Sequence, residues 1–305
     1  MELEYCSPIA LAHNNMICYT KNSLLIIIKV WNILLPLDKI DFKITDEHLE
    51  LFNKVDAKFK KYLRKDNTYW CWTEILKHIA SKLNKSNVAD ILKHVENKDL
   101  RPAQPVEWVS NPTEWLSNFD IHKCLIQYSN TPIYKYKFIG VFSIDFGTSK
   151  NPINIKKILK ENPNISYIGF ITNLSRASEV GTHWTSSFFV LDPSLKSYGG
   201  YYYDSTTEKI PKDLQPVFDD IKRQAEELFE KPFMIKINNN RHQYSNTECG
   251  VFSIAFQTRW ISLLKKNKDV IFDDIIKFEG YKDKIMKILR NKIFRPNIKS
   301  LKMKS

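Results

Sequence analysis

Three apolar stretches between residues 165 and 203 constrain the fold more than any other part of the chain. Residues 165–174, ISYIGFITNL, read as a buried strand. Residues 184–190 are rich in aromatic and β-branched side chains, and Asp192-Pro193-Ser194 supplies turn chemistry behind them. Residues 198–203 form the return strand, with Gly199-Gly200 a bulge or a point of close approach. Pairing His183 with Asp204 centres this hairpin inside the turn and sets an imidazole beside a carboxylate. Further strands are predicted at 137–144 and 233–237. Helices are predicted at 214–229, at 249–264, and at 273–289 with a break at Gly280. Thr113 is positioned to cap a helix carrying Trp115, Leu116, Ile121, Leu125 and Ile126.

Upstream, the first hundred residues read as helical. Asn22 or Ser23 can cap a helix that Pro36 ends. Residues 46–64 place Leu49, Phe52, Val55, Phe59 and Leu63 on one face, 70–83 repeats the theme, and 87–95 forms a shorter helix. The segment ENKDLRPAQPV (96–106) combines charge with two prolines and marks a boundary. The expected organisation is a helical domain over 1–100 and a second domain over 106–305.

A net charge of +12 favours acidic partners, yet the lysines are scattered among Asp and Glu. Weak electrostatic contact with nucleic acid is an expectation, through basic residues such as Lys58, Lys60, Lys61 and Arg64. No nucleic-acid-binding motif is present in the sequence. Five cysteines, an odd number without a CxxC, argue against a disulfide framework and for a reducing compartment. Cys6, His13 and Cys18 lack a second half-site, so neither metal nor cofactor is expected. The opening MELEYC has no signal-peptide character, and the run 24–36 is too short and too interrupted to insert into a membrane.

The chemistry centres on QYSNTECGVFSIAF (243–256), where Cys249 separates a polar turn from an apolar helix. A thiol at a helix start faces unpaired N–H groups and the positive end of the dipole, which favours the thiolate. Thiol-based acyl transfer also needs a base, a group that orients it, and donors for the oxyanion. His183 is the candidate base and Asp204 its orienting acid, while Gln243 and the Cys249 backbone N–H are the oxyanion donors. Each has a plain structural alternative: a core thiol, a satisfied histidine, a cap for Ser205-Thr206, an uninformative amide. His242 and Asp192 compete for the base and the acid, but His242 has no acid placed to orient it. Asp192 belongs to the far end of the hairpin.

GTHW at 181–184, YYDS at 202–205 and RHQYSNTECGVFS at 241–253 resemble the cysteine proteases that cleave ubiquitin-like proteins. They are most similar to the clan's viral polyprotein-processing members, among them the proteases of adenovirus and African swine fever virus. The order His, Asp or Asn, Gln, Cys matches His183, Asp204, Gln243 and Cys249; one viral member carries Asn where Asp204 stands. EWLSNFDI (114–121) resembles the clan's Trp-Leu pair near the substrate channel, and the likeness runs from about Trp115 to Trp260. The resemblance implies an α+β fold with a central mixed sheet. It also implies a channel lined by Trp115 and Trp184 that admits Gly-Gly before the cut. A helical N-terminal extension is implied as well. The expectation is a thiol endopeptidase that matures viral structural polyproteins at Gly-Gly-X sites, in the host cytoplasm at assembly sites and in the virion. A deconjugating protease for ubiquitin-like tags is the nearest alternative, and a catalytically silent binding module a more distant one.

Overall fold

The structure, a computed structural model, describes residues 5–12, 17–63, 69–147, 152–266 and 269–300. The chain divides into two compact units, Met1–Pro112 with Asn291–Ser305, and Thr113–Arg290.

The first unit is helical: α1 (Pro8–Ala12), α2 (Lys21–Leu34), α3 (His48–Leu63), α4 (Trp72–Lys82) and α5 (Ala89–Asp99). The cap of α2 is Thr20 and not Asn22 or Ser23; its side chain accepts from the Ser23 N–H. Trp72 organises the core, with Tyr19 stacked on it at 5.5 Å and Phe59 at 5.1 Å. The sequence reading put residues 291–305 in the downstream domain, whereas the structure groups them with this first unit. Arg295 accounts for that: it is buried, donates to the Trp70 carbonyl and pairs with Glu74 at 2.8 Å. A second departure is covalent. Cys6 and Cys18 form a disulfide, despite the odd cysteine count, and the bridge Cys6↔Leu100 sets Cys6 beside the end of α5. The remaining cysteines, Cys71, Cys124 and Cys249, are buried thiols. His13 and Arg64 lie outside the described residues. Lys58 and Lys60 pair with Asp38 and Asp56, which offsets much of the basic face expected there.

The second unit carries α6 (Asn118–Ser129), β1 (Tyr136–Ser143), α7 (Ile155–Glu161), β2 (Tyr167–Asn173), β3 (Trp184–Val190) and β4 (Gly199–Tyr203). These are followed by α8 (Gln215–Phe229), β5 (Ile235–Ile237), α9 (Cys249–Lys266), α10 (Phe272–Ile276) and α11 (Asp283–Ile293), which runs past the unit's end. The strands form one mixed sheet ordered β1-β2-β3-β4-β5. The inner pairings β2–β3 and β3–β4 are antiparallel and the outer two are parallel. The class is α+β, as the resemblance implied. The helix near Trp115 begins later than predicted. Ser117 caps α6 in a capping box with Asp120, so Trp115 and Leu116 stand before the helix, not on it.

Both sheet faces are covered, which is why β2 and β3 are buried at every position. Neighbouring side chains point to opposite faces. Phe188 stacks on Trp260 of α9, while Phe189 packs on Phe218 of α8. Gly199 has φ +151°, and a Cβ there would meet the Met234 carbonyl at 2.7 Å, so it marks close approach to β5 and not a bulge. Gln257 of α9 is fully buried: it accepts from the Tyr136 hydroxyl at 2.9 Å and donates to Ser186 Oγ and the Ser187 carbonyl, both at 2.8 Å. Gln257→Leu is expected to lower the urea midpoint at unchanged slope, costing about 1–3 kcal/mol for each polar group it strands. An unaltered midpoint would show that the network contributes nothing.

Candidate active site

His183 sits one residue before β3 and Asp204 one residue after β4, so the sheet presents both at the same end. The hairpin register differs from the sequence reading. Pairing His183 with Asp204 would set Ser186 against Tyr201, but Ser186 stands opposite Tyr203. A slip of two residues keeps every side chain on its own face, so the imidazole still reaches the carboxylate. His183 Nε2 lies 2.9 Å from Asp204 Oδ1. The Asp204 backbone is clamped on both sides by Asn238, whose Oδ1 accepts from the Asp204 N–H at 2.9 Å and whose Nδ2 donates to its carbonyl at 2.8 Å. On the histidine side, the His183 carbonyl accepts from Leu174 N–H, and Asn173 Oδ1 accepts from Ser175 and Thr182 N–H. Asp204 Oδ1 also accepts from the Thr206 N–H and hydroxyl, each at 2.7 Å. The turn-capping alternative therefore holds together with the imidazole contact.

Cys249 is the first residue of α9, and its side chain is buried. The His183 ring hydrogen-bonds Asp204 and stands close enough to Cys249 for the thiol to act on its charge. Burial of the ring opposes its charge, but the Asp204 and Cys249 contacts outweigh this and push the His183 pKa up to about 10.

Gln243 is buried in the loop before α9, with Oε1 accepting from the Ser205 hydroxyl at 2.6 Å and Nε2 donating to the Ser245 carbonyl at 2.7 Å. One amide hydrogen is thereby used and the other remains to be offered. Trp184 donates its indole N–H to the Leu116 carbonyl at 3.0 Å. It lies against Gly250, where a Cβ would meet Trp184 Cδ1 at 3.3 Å. Trp115 and Trp184 both line a groove of about 550 Å³, together with Leu116, Phe142, Asn173 and Gly181.

The competing residues go elsewhere. His242 Nδ1 meets the Tyr203 hydroxyl at 3.0 Å, and the ring packs on Tyr281. Asp192 accepts from Ser194 in the hairpin turn. Sequence reasoning missed Asn238, the Ser205 hydroxyl's bond to Gln243, and an ion pair between Glu248 and Arg290. Glu248 stands in the NTECG core, but nothing in the sequence ties it to a residue so far away.

No protein-family model matches the chain. A protein of Acanthamoeba polyphaga mimivirus named as a thiol protease is 32% identical over 161 residues, which are 51% of this chain and 51% of that protein. The chain thus spans about half the length of that relative. A SUMO-1 cysteine protease of African swine fever virus is 23% identical over 232 residues, 70% of this chain and 81% of the relative. The crystal structure of an African swine fever virus protease superposes with a TM-score of 0.65 at 18% identity, covering 96% of each chain. No helix among the described residues is long and apolar enough to cross a membrane. The fold is that of the African swine fever virus protease, and in sequence the chain is related to viral thiol and cysteine proteases.

Proposed function

We propose that the chain is a thiol endopeptidase with Cys249 as nucleophile, His183 as acid and base, and Asp204 as the group that orients the ring. One observation carries this reading: the His183 ring is hydrogen-bonded to a buried carboxylate and lies within electrostatic reach of the thiol that opens α9. In the proposed reaction the Cys249 sulfur attacks the scissile carbonyl carbon and the protonated His183 ring gives its proton to the leaving amine as the C–N bond breaks. Water then attacks the thioester, His183 takes its proton, and the C–S bond breaks to release the carboxylic acid product, leaving the Cys249 sulfur and the protonated ring as they began. The Cys249 backbone N–H and the second Gln243 amide hydrogen would hold the developing oxyanion.

Trp115 and Trp184 favour small residues before the cut, since bulky aromatic walls reject side chains there. The proposed substrates are viral structural polyproteins with Gly-Gly-X sites, cut in the host cytoplasm at assembly sites and in the virion. The name of the African swine fever virus relative, a SUMO-1 cysteine protease, favours a second reading, removal of ubiquitin-like tags by the same chemistry.

A peptide library with Gly-Gly or Ala-Gly before the cut, run beside a ubiquitin-like precursor, tests both readings. Turnover of the peptides above the precursor supports the polyprotease; the reverse ranking supports deconjugation. No turnover of any of them, together with no labelling of Cys249 by a thiol-reactive probe, would overturn the enzymatic reading in favour of a silent module.

A further inference from the structure

Immediately before the nucleophile stands a buried carboxylate. Glu248 is fully buried, and its carbonyl accepts the first helical bond of α9 from the Phe252 N–H at 2.9 Å. Its Oε2 meets Arg290 Nε at 3.0 Å, and the arginine side chain is only 3% exposed. The same guanidinium donates from Nη1 to the Glu114 carbonyl at 2.7 Å and from Nη2 to the Thr247 carbonyl at 3.2 Å. The Thr247 hydroxyl closes the set by donating to Glu248 Oε1 at 3.1 Å.

Such an arrangement is not explained by stability. Taking two charges out of water costs about what their attraction returns, and well-packed apolar residues hold buried elements together as firmly. What a guanidinium adds is direction: a rigid fork of donors reaches several acceptors at fixed angles, which an ammonium cannot do. Here the fork reaches two loops. Thr247 and Glu248 deliver Cys249, while Glu114 leads into Trp115 and Leu116, which line the groove. Leu116 in turn takes the Trp184 indole N–H, and its Cβ would lie 3.2 Å from a Cβ on Gly250. The guanidinium also balances a carboxylate that would otherwise stand unpaired next to Cys249.

We propose that Arg290 is a positioning residue that, with Glu248, locks the nucleophile loop and the groove-wall loop into one register. The proposal rests on the thiol-protease reading above. Full-length Arg290→Lys and Glu248→Gln proteins are compared with wild type in thermal melting, in Cys249 alkylation by iodoacetamide followed by mass spectrometry, and in kcat and KM on a Gly-Gly peptide. In folded Arg290→Lys protein, Cys249 alkylation is expected to slow about tenfold or more, since small misplacements of reacting groups carry penalties of that order. KM is expected to rise in parallel, because the groove wall is released as well. Glu248→Gln keeps the shape and one acceptor oxygen, so the same shifts are expected to be smaller. It decides the matter if Arg290→Lys does not fold. A folded variant with a lower melting point but wild-type alkylation and KM would reduce the pair to scaffolding and overturn the proposal. Failure of wild type to turn over the peptides and the ubiquitin-like precursor would count against the protease reading, and the alkylation rates would still decide the role of Arg290.

Discussion

Cys249→Ala protein is expected to lose peptide cleavage, with kcat falling about a millionfold, as loss of the nucleophile does in a serine protease. No other thiol is placed to substitute. Cys71 is buried in the core of the first unit, and burial pushes its pKa up to about 12, which leaves almost no thiolate at neutral pH. Cys124 lies buried within α6. The substitution should leave the fold intact, because alanine is a good helix former and Cys249 occupies only the first position of α9. An unchanged melting curve with no turnover is therefore the expected pair of results. His183→Ala should cost nearly as much, and the double variant little more, since groups that act as one unit are not additive. Residual cleavage by the Cys249→Ala protein would place the nucleophile elsewhere and sink the assignment.

Much of this site was legible because its parts are local. The strand–turn–strand pattern from Trp184 to Tyr203 and the polar-to-apolar switch at Cys249 are short-range signals, and the structure realises both. The register differs by two residues because the loop runs from Leu191 to Tyr198 and so centres one residue later than the midpoint of Pro193 and Ser194. That error was harmless to the site, as an odd slip would not have been. The helix near Trp115 was started too early because Trp and Leu fit a helical face; the capping box at Ser117 lies just beyond them. The features that stayed invisible are long-range. Asn238 reaches Asp204 from β5's far end, Arg290 reaches Glu248 from α11, and Arg295 ties the last described residues to the first unit. Cys6 and Cys18 pair in space, and cysteine counting has no access to that. Spacing along the chain carries no information about such partners.

Asp204→Ala is expected to lower kcat/KM by about 10²- to 10⁴-fold, the range associated with losing an oriented acid–base pair. The carboxylate has two effects that substitution can separate. It fixes the ring by accepting from Nε2, and it stabilises the imidazolium by its charge. Asp204→Asn keeps an acceptor oxygen for Nε2 and the Thr206 contacts but not the charge, so it should fall between wild type and alanine. The charge effect is read directly by titrating the His183 ring protons by NMR. Wild type should hold the imidazolium through neutral pH and titrate near 10, and Asp204→Asn should titrate lower. The sign for stability follows: a histidine whose folded pKa lies above its unfolded 6.5 stabilises the fold fully below that pH, and the contribution fades as pH rises toward 10. The stability gap between wild type and Asp204→Asn should therefore be wide near pH 6.5 and close toward pH 10. Asp192→Ala, in the hairpin turn, should leave kcat/KM unchanged. A larger loss for Asp192→Ala than for Asp204→Ala, or a wild-type His183 midpoint in the ordinary histidine range, would mean that the buried carboxylate only caps its turn and that the imidazole is held ready by something else.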